Sequence, residues 1–485
     1  MGVWSSIRRA MFGSNASRAW DAAKTTRLNE SQWSQARGQH INDKIGLDAS
    51  TLRDRAIDEA ERNPFVEGMI ETYVASVVGI DGPSLQIQTN DKNDKEFTEW
   101  AERTWATWWE SPDINGVLSG VDIMRQWVRS LWTCGEFVSL LVSDESQPIT
   151  LRLQDVHPRR LKAPLFGAVS PLQRDGIKRD SLGKPVSYFI ESFLSAENAI
   201  AATGEVTEYQ ADSVIHGFKH REPGQIRGIP WLAPVLQTCA DLRCYDEQVM
   251  DAARAAADMA VLLYTDHSDA TYVAVNESTS IERRTIRTLP PGWKAAQMQS
   301  QQPAAQYQDY RSEKLREIGR PVNMPLMMVR LDSSNHNYSS ARFDGQLFSR
   351  GVGACQRWLA RTALNRLADR VMREASLVDG VTVPDSYDKR WTWEAMPHVD
   401  PSKEADAAEK QLANKTTTLA DVCATGGKDW EQVLRQQARE KELLKELGLE
   451  AVPVPAVPAA QPLTPAQQRW ITEQIEAHME EGATR

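Results

Sequence analysis

Cysteine is scarce in this chain of 485 residues, and the five present, Cys134, Cys239, Cys244, Cys355 and Cys423, are odd in number and lack Cys-x-x-Cys spacing. That excludes a disulfide framework and a cysteine-based structural zinc site, and it suits a reducing compartment. Long apolar runs are missing too. The longest lies near Met259–Tyr264, far short of the roughly 18 residues needed to cross a bilayer, so a soluble protein is expected. The first residues hold no apolar core of a secretory signal. MGVWSS fits the Met-Gly-x-x-x-Ser pattern of N-myristoylation, but so short a match often arises by chance. There is no G-x-x-x-x-G-K-[ST] phosphate loop, no G-x-S-x-G elbow and no H-E-x-x-H helix, which removes the signatures of a nucleotide-driven motor, a serine hydrolase and a zinc protease. No catalytic residue, metal or cofactor is assigned. Basic charge is also short: 56 Lys and Arg face 66 Asp and Glu, a net charge of -10. A protein that coats nucleic acid needs the opposite balance, so any contact with phosphates must be local.

What remains is ordinary globular material, 41% hydrophobic and 25% charged, in a chain too long for one core to keep growing; two or more subdomains are expected. Residues 1–48 are polar, with isolated Trp4, Trp20 and Trp33, and read as an arm that orders against a neighbour. Ser50 predicts the N-cap of a helix over TLRDRAIDEAER that ends before Pro64, and FVEGMIETYVASVV predicts a second helix closed by Gly79. The strand SLQIQT follows. In EFTEWAERTWATWWE, Phe97, Trp100, Ala101, Thr104, Trp105 and Trp108 share one helical stripe, which reads as core and not as an aromatic ligand box. GVDIMRQWVRSLWTC predicts a helix that passes through Gly135 into the strand EFVSLLVS. LRLQDV, IKRDSLGKPVSYFIES and EVTEYQADSVIHGFKH predict further β segments, with a turn at Asp180–Gly183. His216 and His220 sit four apart, as helical metal ligands do, but their surroundings are strand-like and a third ligand is missing.

Pro223-Gly224 predicts a turn, Gly228 relieves backbone crowding, and Pro230 fits the first turn of a long helix starting near Trp231. The Ala-rich stretch Ala252–Ala260 within it allows close helix approach. Residues 265–307 change to short β-prone pieces and Gln-rich loops, and YRSEKLREIG returns to helix before a Pro-punctuated apolar run. A strand around Trp391 and Trp393, mixed-charge helices with a turn at Gly426-Gly427 and a cap at Asp429, a Pro/Ala linker, and a short terminal helix capped by Thr464-Pro465 complete the chain.

The chain is organised around Leu331–Arg342, LDSSNHNYSSAR, and the helix behind it, which is predicted to reach about Arg373. Four Ser, three Asn or Asp, a His and a Tyr satisfy their own backbone and favour a polar loop. In the following helix Leu347, Cys355, Leu359, Leu367 and Val371 form the expected core side. Arg350, Arg357, Arg361, Arg366, Arg370 and Arg373 take much of the rest. Arg330 to Glu374 holds eight Arg against four acids. A hydrolase reading would take Ser339 or Ser340 as nucleophile, His336 as base and Asp332 as orienter; all lie in one loop where nothing fixes their geometry. Asp421 and Asp429 likewise lack a nuclease context.

Several segments, in the same order, resemble the portal proteins of tailed double-stranded DNA phages, in the lambda-type branch. RDRAIDEAERNPFVEGMIETYVASVVGIDG resembles that family's paired entry helices and Val-Val-Gly turn. VIHGFKHREPGQIRGIPWLAPVL is similar to its Ile-His-x-Phe strand followed by Arg-Pro-Gly-Gln-x-Arg-Gly-x-Pro-Trp-Leu-Ala-Pro-Val-Leu, with Glu222 inserted between Arg221 and Pro223. DSSNHNYSSAR resembles its Asp-Ser-x-x-Asn-Tyr-Ser-Ser-x-Arg segment, and VDPSKEADA with a later Gly-x-Asp-Trp turn resembles its crown entry.

The resemblance implies an α+β, multi-domain portal fold that assembles as a ring, usually a dodecamer, at one capsid vertex. The expected parts are an arm (1–48), a wing (49–231) with a return strand (376–402), stem helices (232–260 and 308–325) and a clip (261–307). A channel loop with its supporting helix (326–375), a crown (403–450) and a linker with a terminal helix (451–485) follow. Double-stranded DNA would pass the hole without sequence-specific contact, bordered by Asn335, His336, Asn337, Tyr338, Ser339, Ser340 and Arg342, with Arg350, Arg357 and Arg361 as the basic face of the helix. Implied partners are the terminase large subunit, a head–tail adaptor, and major capsid and scaffold proteins, in the virion and, during assembly, the host cytoplasm; no membrane is implied. A head–tail adaptor remains the alternative, although it would be expected to be shorter and to lack paired stem helices.

Overall fold

Between Arg62 and Pro64 the chain changes helix at a single residue. Asn63 ends α1 (Ile41–Arg62) and caps α2 (Pro64–Val78): its carboxamide oxygen accepts from Phe65 N at 3.1 Å and Val66 N at 3.4 Å, and Pro64 at the first position has no N–H to leave unmet. Gly79 closes α2 with φ +79°, as its sequence predicts. The start of α1 differs from expectation. It begins at Ile41, capped by His40, with Ser50 inside it. Burial of Ile41, Asn42 and Ile45 explains this, because the Asn42 side chain donates to Gly224 O (2.9 Å) and accepts from Ile226 N (3.0 Å). Long-range docking overrides the local cap signal.

This computed structural model describes residues 38–89, 95–163, 172–192, 205–258, 262–265, 293–296, 307–334, 337–394 and 401–449. After α2 come β1 (Ser84–Gln88), α3 (Lys95–Trp109), α4 (Gly120–Thr133), β2 (Glu136–Ser143), β3 (Leu151–Val156), β4 (Gln173–Arg174), β5 (Ile177–Arg179), β6 (Pro185–Glu191), β7 (Val206–Gln210) and β8 (Val214–Phe218). Next are α5 (Leu236–Asp258), β9 (Leu262–Thr265), β10 (Trp293–Ala296), α6 (Tyr307–Gly319), α7 (Leu326–Arg330), α8 (Tyr338–Leu359), a π turn (Ala360–Leu364), α9 (Asn365–Asp379) and β11 (Asp388–Thr392). Helices α10 (Pro401–Ala413), α11 (Leu419–Thr425) and α12 (Trp430–Glu446) follow. The fold mixes helix and sheet, and the chain divides into two units after Pro401. The Ala252–Ala260 stretch runs past Asp258, beyond which Met259–Val261 lies outside the described residues, as do most of the arm, the Gln-rich loop, the linker and the terminal helix.

In the first unit, β2 is central to a three-stranded antiparallel sheet, order β3-β2-β8. A second antiparallel sheet runs β4-β5-β6-β7, with the turn at Asp180–Gly183 as predicted. β1 pairs with β11 across some three hundred residues, Leu85 opposite Trp391, and β9 pairs with β10. Helix α4 lies against β2, stacking Trp127 on Phe137 at 4.8 Å. Tyr73 of α2 stands edge-on to Trp132 (5.4 Å), Trp231 (5.7 Å) and Phe348 (6.0 Å), so helices distant in sequence meet on one apolar centre. The aromatic stripe of α3 is core: Phe97, Trp100, Ala101, Trp105 and Trp108 are buried, joined by Trp109.

Three further boundaries are corrected. Trp231–Val235 is a turn, and α5 begins at Leu236, because Pro234 has no N–H to offer and the segment closes with i−3 bonds instead (Ala233 N to Pro230 O, Val235 N to Leu232 O). The apolar run after α6 contains α7, ended by Leu331 at φ +49°. The helix expected to stop near Arg373 continues to Asp379, where Gly380 at φ +68° ends it. The second unit holds α10, α11 and α12, with Thr418 and Asp429 capping the latter two, and none of its described residues is buried within the chain.

Candidate functional site

The segment singled out by sequence is partly helix, not all loop. Asn337 is the N-cap of α8, accepting Ser340 N at 2.9 Å, so Tyr338, Ser339, Ser340 and Arg342 belong to the first turns of that helix. The signal was present: Asn-x-x-Ser before a long amphipathic stretch is a start pattern, and it outweighed the turn-prone composition. Asp332 folds the preceding residues by accepting Ser334 N (3.1 Å) and the Ser334 hydroxyl (2.6 Å), and pairs with Arg330 at 3.1 Å. Asn335 and His336 lie outside the described residues.

Helix α8 turns Phe348, Val352, Cys355 and Leu359 inward, and Gln356 donates to Val77 O at 3.0 Å. Leu347, expected in the core, is 44% exposed, while its neighbour Phe348 is fully buried against Tyr73. Only this first position of the stripe is displaced; Cys355, Leu359, Leu367 and Val371 are buried as the spacing implied. On the outer face Ser339, Ser340, Arg342, Arg350, Arg357 and Arg361 are exposed, together with Phe343. Arg350, Arg357 and Arg361 make no ion pair among the described residues. Arg366 leaves this set: its guanidinium donates to Val214 O (2.7 Å) and Ala211 O (2.9 Å), tying α9 to β8. Arg370 turns to Glu374 at 3.5 Å.

Of the residues a hydrolase reading would use, His336 lies outside the described residues, and Ser340 and Asp332 are engaged locally. The Ser340 hydroxyl donates to Asn337 O at 3.1 Å, and the Asp332 carboxylate is engaged with Ser334 and Arg330. Elsewhere Cys134 Sγ lies 3.8 Å from His157 Nε2, but burial pushes the thiol up and the imidazole down, so both stay neutral. His216 lies in the middle of β8 and His220 two residues past its end, each with its ring tilted against Phe218 at 4.9 and 4.2 Å. Their spacing does not form a ligand pair, since His216 Nε2 faces Glu136 at 3.1 Å.

That contact belongs to a hub the sequence reading missed. Glu136, the first residue of β2, is wholly buried. Its Oε1 accepts Arg53 Nη2 (2.7 Å) and Arg227 Nη2 (2.6 Å); its Oε2 accepts Gly228 N (2.8 Å). Arg227 also donates to Asp175 O (2.6 Å) and Pro158 O (2.9 Å). Burial opposes the Glu136 charge, but Arg227, His216 and Arg53 outweigh it and hold the carboxyl well below its usual range. One carboxylate thus joins α1, β2, β8 and the Arg-Gly-Ile-Pro segment that leads into α5. Gly228 and Gly135 permit the crossing: a Cβ on Gly228 would lie 2.2 Å from Gly135 O. A lone Glu inside the apolar run CGEFVSLLV was the available signal, because a buried acid demands cationic partners.

The family model for "Phage portal protein, lambda family" matches residues 26–356, a span containing the whole hub and α8 as far as Gln356. A probable portal protein of Halomonas phage phiHAP-1 is 22% identical over 463 residues, covering 89% of this chain and 88% of the relative. Among solved structures, the neck of an empty gene transfer agent particle computed with C6 symmetry aligns at TM-score 0.44 and 12% identity, over 76% of this chain and 89% of that one. An HK97 family phage portal protein from Corynebacterium diphtheriae aligns at TM-score 0.34 and 14% identity, over 72% and 96%. With its Arg-Gly-Ile-Pro segment built around Glu136 and its long helix capped at Asn337 inside or adjoining the matched span, this chain belongs to the lambda family of phage portal proteins.

Proposed function

We propose that copies of this chain close into a ring of about twelve subunits at one vertex of a phage capsid, through which double-stranded DNA enters and later leaves. The observation that carries the DNA contact is charge segregation. In a chain of net charge -10, Arg350, Arg357 and Arg361 gather on the exposed face of one helix whose opposite face is core. The polar turn Asn337, Tyr338, Ser339, Ser340 and Arg342, with Asn335 and His336 before it, borders the duplex. An acidic wall with a few cations limits sticking while guiding phosphates, and contacts of this kind carry no sequence information. The chain acts as a passive conduit.

The division into arm, wing, stem, clip, channel helix and crown is part of this reading. Its stem is supported by the side-by-side packing of α5 and α6, where Tyr307 donates to Asp246 at 2.8 Å and Tyr245 meets Tyr310 at 4.9 Å. The clip would dock the terminase large subunit and then the head–tail adaptor, and the outer ring would meet capsid and scaffold proteins in the virion. Native mass spectrometry with negative-stain microscopy tests the ring: twelve or so copies around a hole wide enough for duplex DNA are expected, and a dimer or tetramer without a hole would overturn it. Arg342→Glu, and Arg350→Glu with Arg357→Glu, are expected to lower DNA packaging or retention with rings intact. If they abolish the rings instead, these arginines are structural.

A further inference from the structure

The C-terminal half of α1, helix α4 and the strands β2 and β3 line a partly open cavity of about 380 Å³, more than tenfold the space one water occupies. Its walls are mostly apolar, from Ile57, Ala60, Phe137 and Val156, and Asp155 is part-buried on its lining. The Asp155 carboxylate is positioned by one oxygen only: Oδ1 accepts both Trp127 Nε1 (3.0 Å) and the Ser139 hydroxyl. Its other oxygen has no partner among the described residues. Burial pushes this carboxyl up to about 6, which measures how poorly the site tolerates an unpaired negative charge. Apolar walls around an uncompensated carboxylate fit the aliphatic stem and charged head of a lysine or arginine.

We propose that the cationic segment Arg18–Arg27 of the chain's own N-terminal stretch runs back along α1 and sets a guanidinium or ammonium group into this cavity against Asp155. Three observations select that occupant. Residues 1–37 hold Arg8, Arg9, Arg18, Lys24, Arg27 and Arg37 against Asp21 and Glu30, a basic stretch in an acidic chain. Glu61, on the cavity's own lining, makes no ion pair among the described residues and adds a second carboxylate there. Reach is sufficient: from Ile41 to Ile57 is roughly 24 Å along the helix, whereas the residues from Arg27 to Ile41 span up to about 46 Å when extended. Tethering keeps the local concentration of the segment high. The inference concerns each subunit singly and does not rest on the ring.

The test uses the full chain with Gln126, an exposed residue at the cavity rim, replaced by the photo-crosslinker p-benzoylphenylalanine. Unlabelled and heavy-nitrogen-labelled chains are mixed before irradiation, and cross-linked peptides are read by mass spectrometry. Cross-links to peptides within residues 14–37 carrying one label throughout are expected, and Asp155→Asn should cut their yield by about fivefold or more. Replacing Arg18, Lys24 and Arg27 together by Gln leaves the folded units untouched and should cut it similarly. Mixed-label cross-links would move the occupant to another copy and overturn the assignment. Cross-links elsewhere, none at all, or yields unchanged in both variants would overturn the site itself.

Discussion

Glu136→Gln removes one charge from a site where two guanidiniums, an imidazole and a backbone N–H converge within 3.1 Å. The amide keeps the shape, but its nitrogen must face a donor, and Arg53 and Arg227 remain buried without a counterion. Breaking a buried pair in this way costs about 3–5 kcal/mol. The unit ending at Pro401 unfolds with an entropy of roughly 0.8 kcal/mol/K at the usual ~2.1 cal/mol/K per residue, so the melting temperature should fall by about 4–6 °C. The pH dependence gives a second, independent check. Because the folded carboxyl lies below its ordinary 4.5, its stabilisation is fully present above that value and fades as the pH drops through the window beneath it. Wild type and variant should therefore differ most at pH 7 and converge as acid is added. Calorimetry of both proteins at pH 7 and pH 3.5 reads this directly. A gap below 1 °C at pH 7, or one that widens in acid, refutes the account of the hub as a charge-compensated joint.

Other expectations follow from the same geometry. Gly228→Ala places a methyl group 2.2 Å from Gly135 O and should lower soluble yield sharply, where Gly353→Ala, with open space around it, should not; expression and melting curves of the pair decide this. Arg366→Met strips two part-buried carbonyls of their donor and should destabilise by about 1–3 kcal/mol in denaturant titrations, while Arg357→Met, exposed on α8, should change stability by less than about 0.5 kcal/mol. With a water-soluble thiol reagent, exposed Cys244 should react fastest, and Cys134, Cys239 and Cys355, all buried, only after denaturant is added. Early reaction of Cys355 would contradict its place between Tyr73 and the core face of α8.

What could be read from the sequence divides along a physical line between local and long-range order. Helix α2, the aromatic stripe of α3, the Gly135 corner and the Asp180–Gly183 turn were legible because each is fixed by residues within one or two turns of itself: a periodic apolar face, a cap, a glycine at positive φ. Ile41 as a helix start was hidden, since its reason is a bond between Asn42 and a loop at Gly224 and Ile226. The pairing of β1 with β11 was hidden for the same cause. Arg366 and Arg350 are the same residue type on one predicted cationic face, yet one holds two backbone carbonyls and the other stands exposed. Periodicity distinguishes inside from outside, not which outside is covered by another strand. Glu136 shows the other side of this: an acid in an apolar strand could be spotted from sequence as needing partners, but only the fold could say that those partners arrive from Arg53 and Arg227. A motif that looks like a recognition sequence, Arg-Gly-Ile-Pro, is in this chain the inner half of a structural joint. On α8, Arg350 and Arg357 stand exposed and make no ion pair among the described residues, although nothing in their spacing sets them apart from Arg366.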